Sequence, residues 1–434
     1  MTTLHKKITM LTAILGLSVG LLGQTEALSL SLALEKAMAN NYGIILSKAS
    51  ASIAGINNDW GNAGRYPTVS FKASENNSYE LLNRRYSGHL QGKLGLNWTL
   101  FNGLQVNITR DKLENLATLS EGQLAVMIEN TVEDVILAYY NVRLQQEQLR
   151  VLKTVMELSG DRYNYELKKK ELGGSVSYDV LQAQNVYLKD KASWMNQEVA
   201  VRNAIRNLNY LMGEGPEKTW VFEEAFEAEA GSYTMSDLLE RMKSSNQTLQ
   251  NQYTRLMLAE NETELRKANY LPKLSLGAGI DANRSWSGTE IKGISGSNSL
   301  SPYGNLSLSY NIYSAGSRKR AVEIARIQEE NTRVEIKQME HVLRNELYKL
   351  FDSYSVRIAL LEVAEEGLEA AELNMRISEN KYKSGVINSF NYRDVQLIYL
   401  DASFSRLQAI YNLISNKAAL TRITGGFLGE IAVD

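Results

Sequence analysis

The 434-residue sequence contains no cysteine, three histidines and four prolines. Without cysteine there are no disulfides, no thiol chemistry, no Cys-ligated zinc and no lipid attached through an N-terminal cysteine. Only His89 and His341 lie beyond the first 27 residues, too few and too scattered for a metal site or a catalytic triad. They read as a polar strand residue and a helix-surface residue. There is no phosphate-binding loop. Gly277-Ala278-Gly279-Ile280-Asp281-Ala282 superficially fits a dinucleotide loop, but polar loop residues follow where that motif needs a helix. A net charge of −2 with 22% charged residues leaves no basic surface for nucleic acid. The many helical carboxylates read as solvated faces and i,i+4 partners rather than paired acids and bases. No active site and no cofactor motif emerge. The shortage of proline leaves long helices unobstructed.

Residues 1–27 read as a secretory signal: Lys6 and Lys7, an apolar core from Ile8 to Leu22, and Thr25-Glu26-Ala27 as the cleavage site. The apolar run is about 15 residues, whereas spanning a bilayer takes about 20. No later segment is long and apolar enough for a transmembrane helix, so any membrane insertion must use strands. Over 104–172 the spacing predicts one long helix, with a heptad seam through Ile128, Thr131, Val135, Ala138, Val142, Gln145, Leu149, Leu152 and Met156. Asn102 suits its N-cap, Lys168, Lys169 and Lys170 suit its last turn, and Gly173-Gly174 stops it. At 1.5 Å per residue such a rod is about 100 Å long. A compact domain cannot hold it.

A helix is expected over 31–64, then strands. Val69, Phe71 and Ala73 alternate with polar neighbours, a polar loop runs from Glu75 to Ser87, and Leu90, Leu94, Leu96, Trp98 and Leu100 share one face of a second strand. The long helix and a returning helix to about Leu211 follow. Residues 213–232 form an acidic break, after which the order repeats. Pro67 corresponds to Pro272 at an offset of 205; Trp98 to Tyr310, Gly173 to Gly385 and Gly213 to Gly425 at 212. The difference places about seven extra residues in the second copy, assigned to a loop between Arg284 and Pro302, since loops tolerate growth. Leu274, Leu276, Ala278 and Ile280, then Leu306, Leu308, Tyr310 and Ile312, mark the second pair of strands. Pro67, Pro272 and Pro302 stand at strand entrances. A second seam runs through Leu347, Leu350, Tyr354, Arg357, Leu361, Ala364, Leu368, Ala371, Met375, Ser378 and Tyr382.

Four strands cannot close a membrane barrel, whose minimum is about eight. An open sheet in lipid leaves backbone groups unpaired. Either several chains share one barrel or the sheet is soluble, and strand pattern alone leaves both open. The signal, the rods and the polar loop favour the membrane. The chain then resembles the TolC-like outer-membrane efflux proteins over nearly its whole mature length. The resemblance rests on the duplicated helix–helix–strand–strand–helix–helix order and on Leu-Phe-Asn-Gly at 100–103, echoed by Ile-Tyr-Ser-Ala-Gly at 312–316. It rests also on two Gly-containing turns followed by Asp179-Val180 and Asp394-Val395, and on the closing segments 208–213 and 420–425.

The resemblance implies a mostly helical α+β fold. Duplicated antiparallel helical hairpins would form a trimeric periplasmic α-barrel, and four strands per chain a twelve-stranded outer-membrane barrel. The segments would be a signal peptide, 1–27; barrel helices, 28–65, 103–212, 233–270 and 317–425; membrane strands, 66–102 and 271–316; an equatorial segment, 213–232; and a tail, 426–434. It implies a passive exit duct in the outer membrane of a Gram-negative cell, serving a tripartite efflux pump or a type I secretion system. Its partners would be two further copies, outer-membrane lipid, a periplasmic adaptor and an inner-membrane transporter, with no nucleic acid and no cofactor. Gly173, Gly174, Val176, Gly385 and Val386 would be the adaptor-docking tip. Asn391 and Asp394 would occupy the entrance constriction, where relatives carry two acids, six and nine residues past the glycine. Asp394 reads equally as a first-turn acid suited to a helix N-terminus. The different-class alternative is a non-transporting coiled-coil tether.

Overall fold

The computed structural model describes residues 26–289 and 292–427. Residues 1–25 of the expected signal and 428–434 of the expected tail lie outside the described residues. In chain order the elements are β1 (Glu26–Leu28), α1 (Leu30–Asn40), α2 (Tyr42–Asn57), β2 (Thr68–Glu80), β3 (Arg85–Asn102), α3 (Gln105–Glu171), α4 (Ser177–Met212), β4 (Trp220–Phe222), α5 (Met235–Ser245), α6 (Gln247–Ala268), β5 (Lys273–Thr289), β6 (Gly293–Ser309), α7 (Ser317–Lys383) and α8 (Ser389–Ile423). Apart from β1 and β4, the second half repeats the first, and both α3 and α7 have 67 residues. Two units result: Met1–Ile45 with Ile128–Met242 and Asn345–Asp434, and Leu46–Met127 with Lys243–Arg344.

The first unit is helical. All eleven expected seam positions of α7, Leu347 to Tyr382, are buried or half-buried, while most residues between them are exposed. In α3 the seam residues Val135, Ala138 and Val142 join Leu28, Ala33, Ala37, Tyr139, Leu208, Met212 and Trp220 in one core cluster. That cluster includes β4, so the stretch expected as a break is partly core. β1 pairs with β4 in parallel. The Trp220 indole donates to Asn209 Oδ1 at 2.6 Å, and Asn209 Nδ2 donates to the Lys218 carbonyl at 2.8 Å. Phe226 packs with Leu144, Val151, Leu407 and Ile410. The helix expected over 31–64 is two helices. Asn41 ends α1, and its Oδ1 accepts from the Gly43 and Ile44 N–H groups, an N-cap that restarts the chain as α2. Asn246, its counterpart in the repeat, caps α6 through the Leu249 N–H at 2.9 Å.

The second unit holds the sheet, with antiparallel strands in the order β2-β3-β5-β6. The register aligns side chains in rows. One face carries Val69–Leu96–Ala278–Gly304, Phe71–Leu94–Ile280–Pro302 and Ala73–Gly92–Ala282–Leu300. The other carries Ser70–Gly95–Gly279–Tyr303, Lys72–Lys93–Asp281–Ser301 and Ser74–Gln91–Asn283–Ser299. The apolar face is bare: Phe71 and Leu300 are each 71% exposed.

Several expectations about the strands require correction. The polar stretch 75–87 is mostly ladder, because β2 runs to Glu80 and β3 starts at Arg85. The face that is apolar below carries Glu75 and Asn77 before the Tyr79–Tyr86 pair, so alternation is faint there, yet Ser78 and Ser87 are 2.9 Å apart through their hydroxyls. The Arg284–Pro302 stretch is likewise paired over 284–289 and 293–302, so the second copy grew by lengthening its hairpin; adding rungs at a tip leaves the register below unchanged. Pro302 therefore lies inside β6, an edge strand of this sheet, where a missing N–H is tolerated. Tyr310 and Ile312 fall beyond β6. A bulge between Thr99 and Phe101 makes Leu100 the extra residue, and Phe101 takes its place opposite Leu274. Asn102 ends β3 rather than flanking the helix, though its Oδ1 still accepts from Val106 N.

Buried carboxylates contradict the reading of all helical acids as solvated. Glu129 is 4% exposed, and burial pushes its carboxyl up to about 7 against the opposing pull of Arg422. Arg422 instead pairs with Glu133 at 2.5 Å. The folded state therefore holds a proton on Glu129 that the unfolded chain releases near 4.5. Its contribution to stability is full below about pH 4.5 and is lost progressively as pH rises to about 7, on the order of 3 kcal/mol. Urea unfolding of parent and Glu129→Gln across pH 4–8 checks this. The variant should gain stability relative to the parent over that window and keep a constant difference above it.

Candidate functional site: the paired hairpin turns

The two long helices end in the same way. Gly173 has φ 76° and Gly385 φ 77°, the left-handed region that glycine occupies freely. The Gly174 N–H donates to the Lys169 carbonyl at 2.8 Å, and the Val386 N–H to the Lys381 carbonyl at 2.8 Å. These are six-to-one closures of a Schellman motif, which satisfy carbonyls that a helix end leaves free. The helices that follow start differently. Val176 precedes α4 with no side-chain cap, whereas Asn388 caps α8 by accepting from the Asn391 N–H at 2.9 Å.

The turns present apolar groups outward, including Leu172, Val176, Val386 and Phe390. Asn391 and Asp394 are both exposed. No hydrogen bond or ion pair among the described residues joins Gly173, Gly174 or Val176 to Gly385, Val386, Asn391 or Asp394.

What binds the two hairpins near their turns is a buried polar layer that sequence reading missed. Glu166 of α3 accepts from the Ser175 hydroxyl at 2.8 Å and from the Tyr382 hydroxyl of α7 at 2.8 Å. Arg393 of α8 grips Asp190 of α4 through both guanidinium nitrogens, each at 2.8 Å. Arg162 of α3 donates to the Ser389 carbonyl at 3.2 Å. Tyr382 and Tyr392 stack, with centroids 4.8 Å apart, and Met375 closes the cluster. Two cations and two anions balance, which is the condition for burying charge. Burial lowers the Arg162 pKa, and the Arg393 charge adds to the effect. Burial, reinforced by the bond to Glu166, raises the Tyr382 hydroxyl far above its usual value; burial pushes Tyr392 up to about 12. Tyr382 and Ser378 were visible as seam positions. Glu166 fell under the general reading of helical carboxylates as solvated faces and i,i+4 partners, and nothing local marks Asp190 as the partner of Arg393.

The arrangement ties α3 and α4 to α7 and α8. No group of three or more potential ligands that could hold a metal exists among the described residues. No described helix is long and apolar enough to cross a membrane.

The sequence matches the outer membrane efflux protein family over residues 33–214 and 238–426. A comparison with curated proteins gives no match. Solved structures share the fold at low identity. CusC aligns with TM-score 0.74 and 16% identity, covering 92% of each chain. CmeC, an outer membrane channel of Campylobacter jejuni, aligns with TM-score 0.74 and 14% identity over 92% of this chain and 85% of its own. The open state of the Neisseria gonorrhoeae MtrE outer membrane channel aligns with TM-score 0.70 and 16% identity over 92% and 89%.

Removing one partner of a buried ion pair strands the other. Asp190→Ala should lower stability by about 3–5 kcal/mol in urea unfolding. Asp394→Ala, at an exposed position, should stay within about 0.5 kcal/mol. Equal effects would show that Arg393 does not depend on Asp190.

Proposed function

The chain belongs to the outer membrane efflux protein family, and from that premise we propose that it is the passive exit duct of a tripartite efflux pump or a type I secretion system. Cargo crosses the periplasm and outer membrane through it, and an inner-membrane partner supplies the energy. The observation that carries this reading is the sheet: apolar on one face, polar on the other, and open at both edges. Lipid neither hydrates nor hydrogen-bonds the bare ladder edges of β2 and β6, so a membrane sheet of this kind has to close. Its strands alternate in direction, so β6 of one copy meets β2 of the next antiparallel, as the other pairs do. Three copies give twelve strands, an even number within the range of membrane barrels. The apolar face then meets lipid and the polar face lines water.

The turns around Gly173, Gly174, Val176, Gly385 and Val386 serve as the adaptor-docking tip on this reading, and their exposed apolar residues supply the surface. Asn391 and Asp394 line the entrance. Asp394 has no ion-pair partner among the described residues, which leaves its charge available to a central axis. Three such carboxylates close together repel and attract a counter-cation.

The rival reading, a non-transporting tether with a soluble cap, is separated by two measurements. The duct should run as a heat-sensitive three-chain species in detergent and pass stepwise current in a planar bilayer. A tether shows no conductance, and a stable monomer would remove the shared barrel. At the entrance, Asp394→Ala should reduce cation preference and block by multivalent cations, while Asp179→Ala, its counterpart after the first turn, does less. If both variants match the parent, Asp394 is only a helix-end acid.

A further inference from the structure

We propose that Lys72 and Lys93 make the sheet-lined part of the duct favour anionic solutes, with Asp281 as a fixed counter-charge that leaves one lysine per chain uncompensated. The inference rests on the duct reading, since it takes the polar face of the sheet as the lumen wall. On that face the rows from Thr68–Asn97–Gly277–Asn305 to Ser78–Ser87–Ser287–Ser295 carry Lys, Arg, Asp or Glu at one level only, Lys72–Lys93–Asp281–Ser301. Lys72 and Lys93 are direct cross-strand partners, a like-charge juxtaposition that costs stability in a sheet. Asp281 sits opposite Lys93 on the other side, with Oδ2 3.5 Å from the Lys93 ammonium. Lys93 also lies 4.8 Å from the centroid of the Tyr303 ring. It is thereby held against the wall. Lys72 has no ion-pair partner among the described residues and is exposed.

The surroundings leave the charge prominent. Tyr303 crosses its glycine neighbours: a Cβ on Gly279 would lie 2.7 Å from the Tyr303 hydroxyl oxygen, and one on Gly95 3.1 Å. The ring thus lies along the wall over two glycines, an aromatic–glycine pairing that leaves little relief. The neighbouring rows carry mostly Ser, Gly and Asn, so the Lys72 stem is the longest free side chain at this level. In a three-chain barrel the level would hold six ammoniums and three carboxylates. Screening limits their reach to about 8 Å at physiological salt and about 3 Å at 1 M, so the preference should weaken as salt rises.

The test is the reversal potential of single channels under a KCl gradient, measured for the parent and for Lys72→Gln, Lys72→Arg and Asp281→Asn. Lys72→Gln should shift it toward cation preference, Asp281→Asn toward anion preference, and Lys72→Arg should match the parent. Both shifts should shrink between 0.1 and 1 M salt. Conducting channels whose reversal potentials coincide, or shift in the same direction, overturn this proposal and leave the duct intact. A parent that passes no current overturns the duct reading and this proposal with it.

Discussion

The constraint on which the rest depends is that backbone N–H and C=O groups need partners, most strictly where water is absent. Within one chain β2 and β6 each have a neighbour on one side only. Their length, about 13 and 17 residues, makes the unmet demand large. A soluble protein blunts such edges with bulges, charges or a covering helix. Here the one bulge among the described residues lies between β3 and β5, inside the sheet; Pro302 interrupts the β6 edge at a single position, and the Lys72 charge of β2 faces the polar side. Most of both ladder edges stays open to pairing.

Duplication explains how the inner strands β3 and β5, one from each repeat, meet that demand in register. Each repeat supplies an antiparallel hairpin flanked by helices, so repeats join without reversing strand polarity. The copies differ where geometry permits an exchange. At the junction from strand to long helix, Gly103 and Leu104 have φ 70° and 69°, and Ala315 and Gly316 have φ 50° and 74°. Each junction needs two left-handed residues and uses one glycine, at opposite positions of the pair. The non-glycine member carries strain of about 1–2 kcal/mol, which the surrounding packing must offset. A Cβ on Gly103 would lie 2.5 Å from the Ala268 carbonyl oxygen, so that glycine is also a packing requirement.

Much of this was legible because period and punctuation were strong. The seam from Leu347 to Tyr382 needed only the three-and-four spacing. Gly173 and Gly385 ended their helices because nothing else takes their conformation cheaply. Asn41 and Asn246 stand at the same offset of 205 as Pro67 and Pro272, but their meaning as a helix restart was not legible, since an asparagine within an apolar helical run looks tolerable. The hairpin tips were hidden because polar residues on the face that is apolar below, such as Glu75 and Asn77, blur the two-residue period. Of the candidate site, the turns themselves were legible and the layer beneath them was not. Arg393 and Asp190 are 203 residues apart, and a single sequence carries no sign of which distant charges meet.

That layer also bears on how a duct of this kind would open. Hairpins joined by apolar contacts alone would resist separation, because parting them exposes surface that water does not reward. The contacts among Glu166, Tyr382, Arg162, Asp190 and Arg393 are polar, and water satisfies each group once it is exposed. Held closed, the layer is specific, since two guanidinium nitrogens must meet two carboxylate oxygens at 2.8 Å. Once parted, the groups regain hydration, which returns much of what their burial cost. An interface that is exacting when shut and inexpensive to wet suits a mouth that alternates between states. Leu172, Val176, Val386 and Phe390 on the turns stay exposed outside that layer.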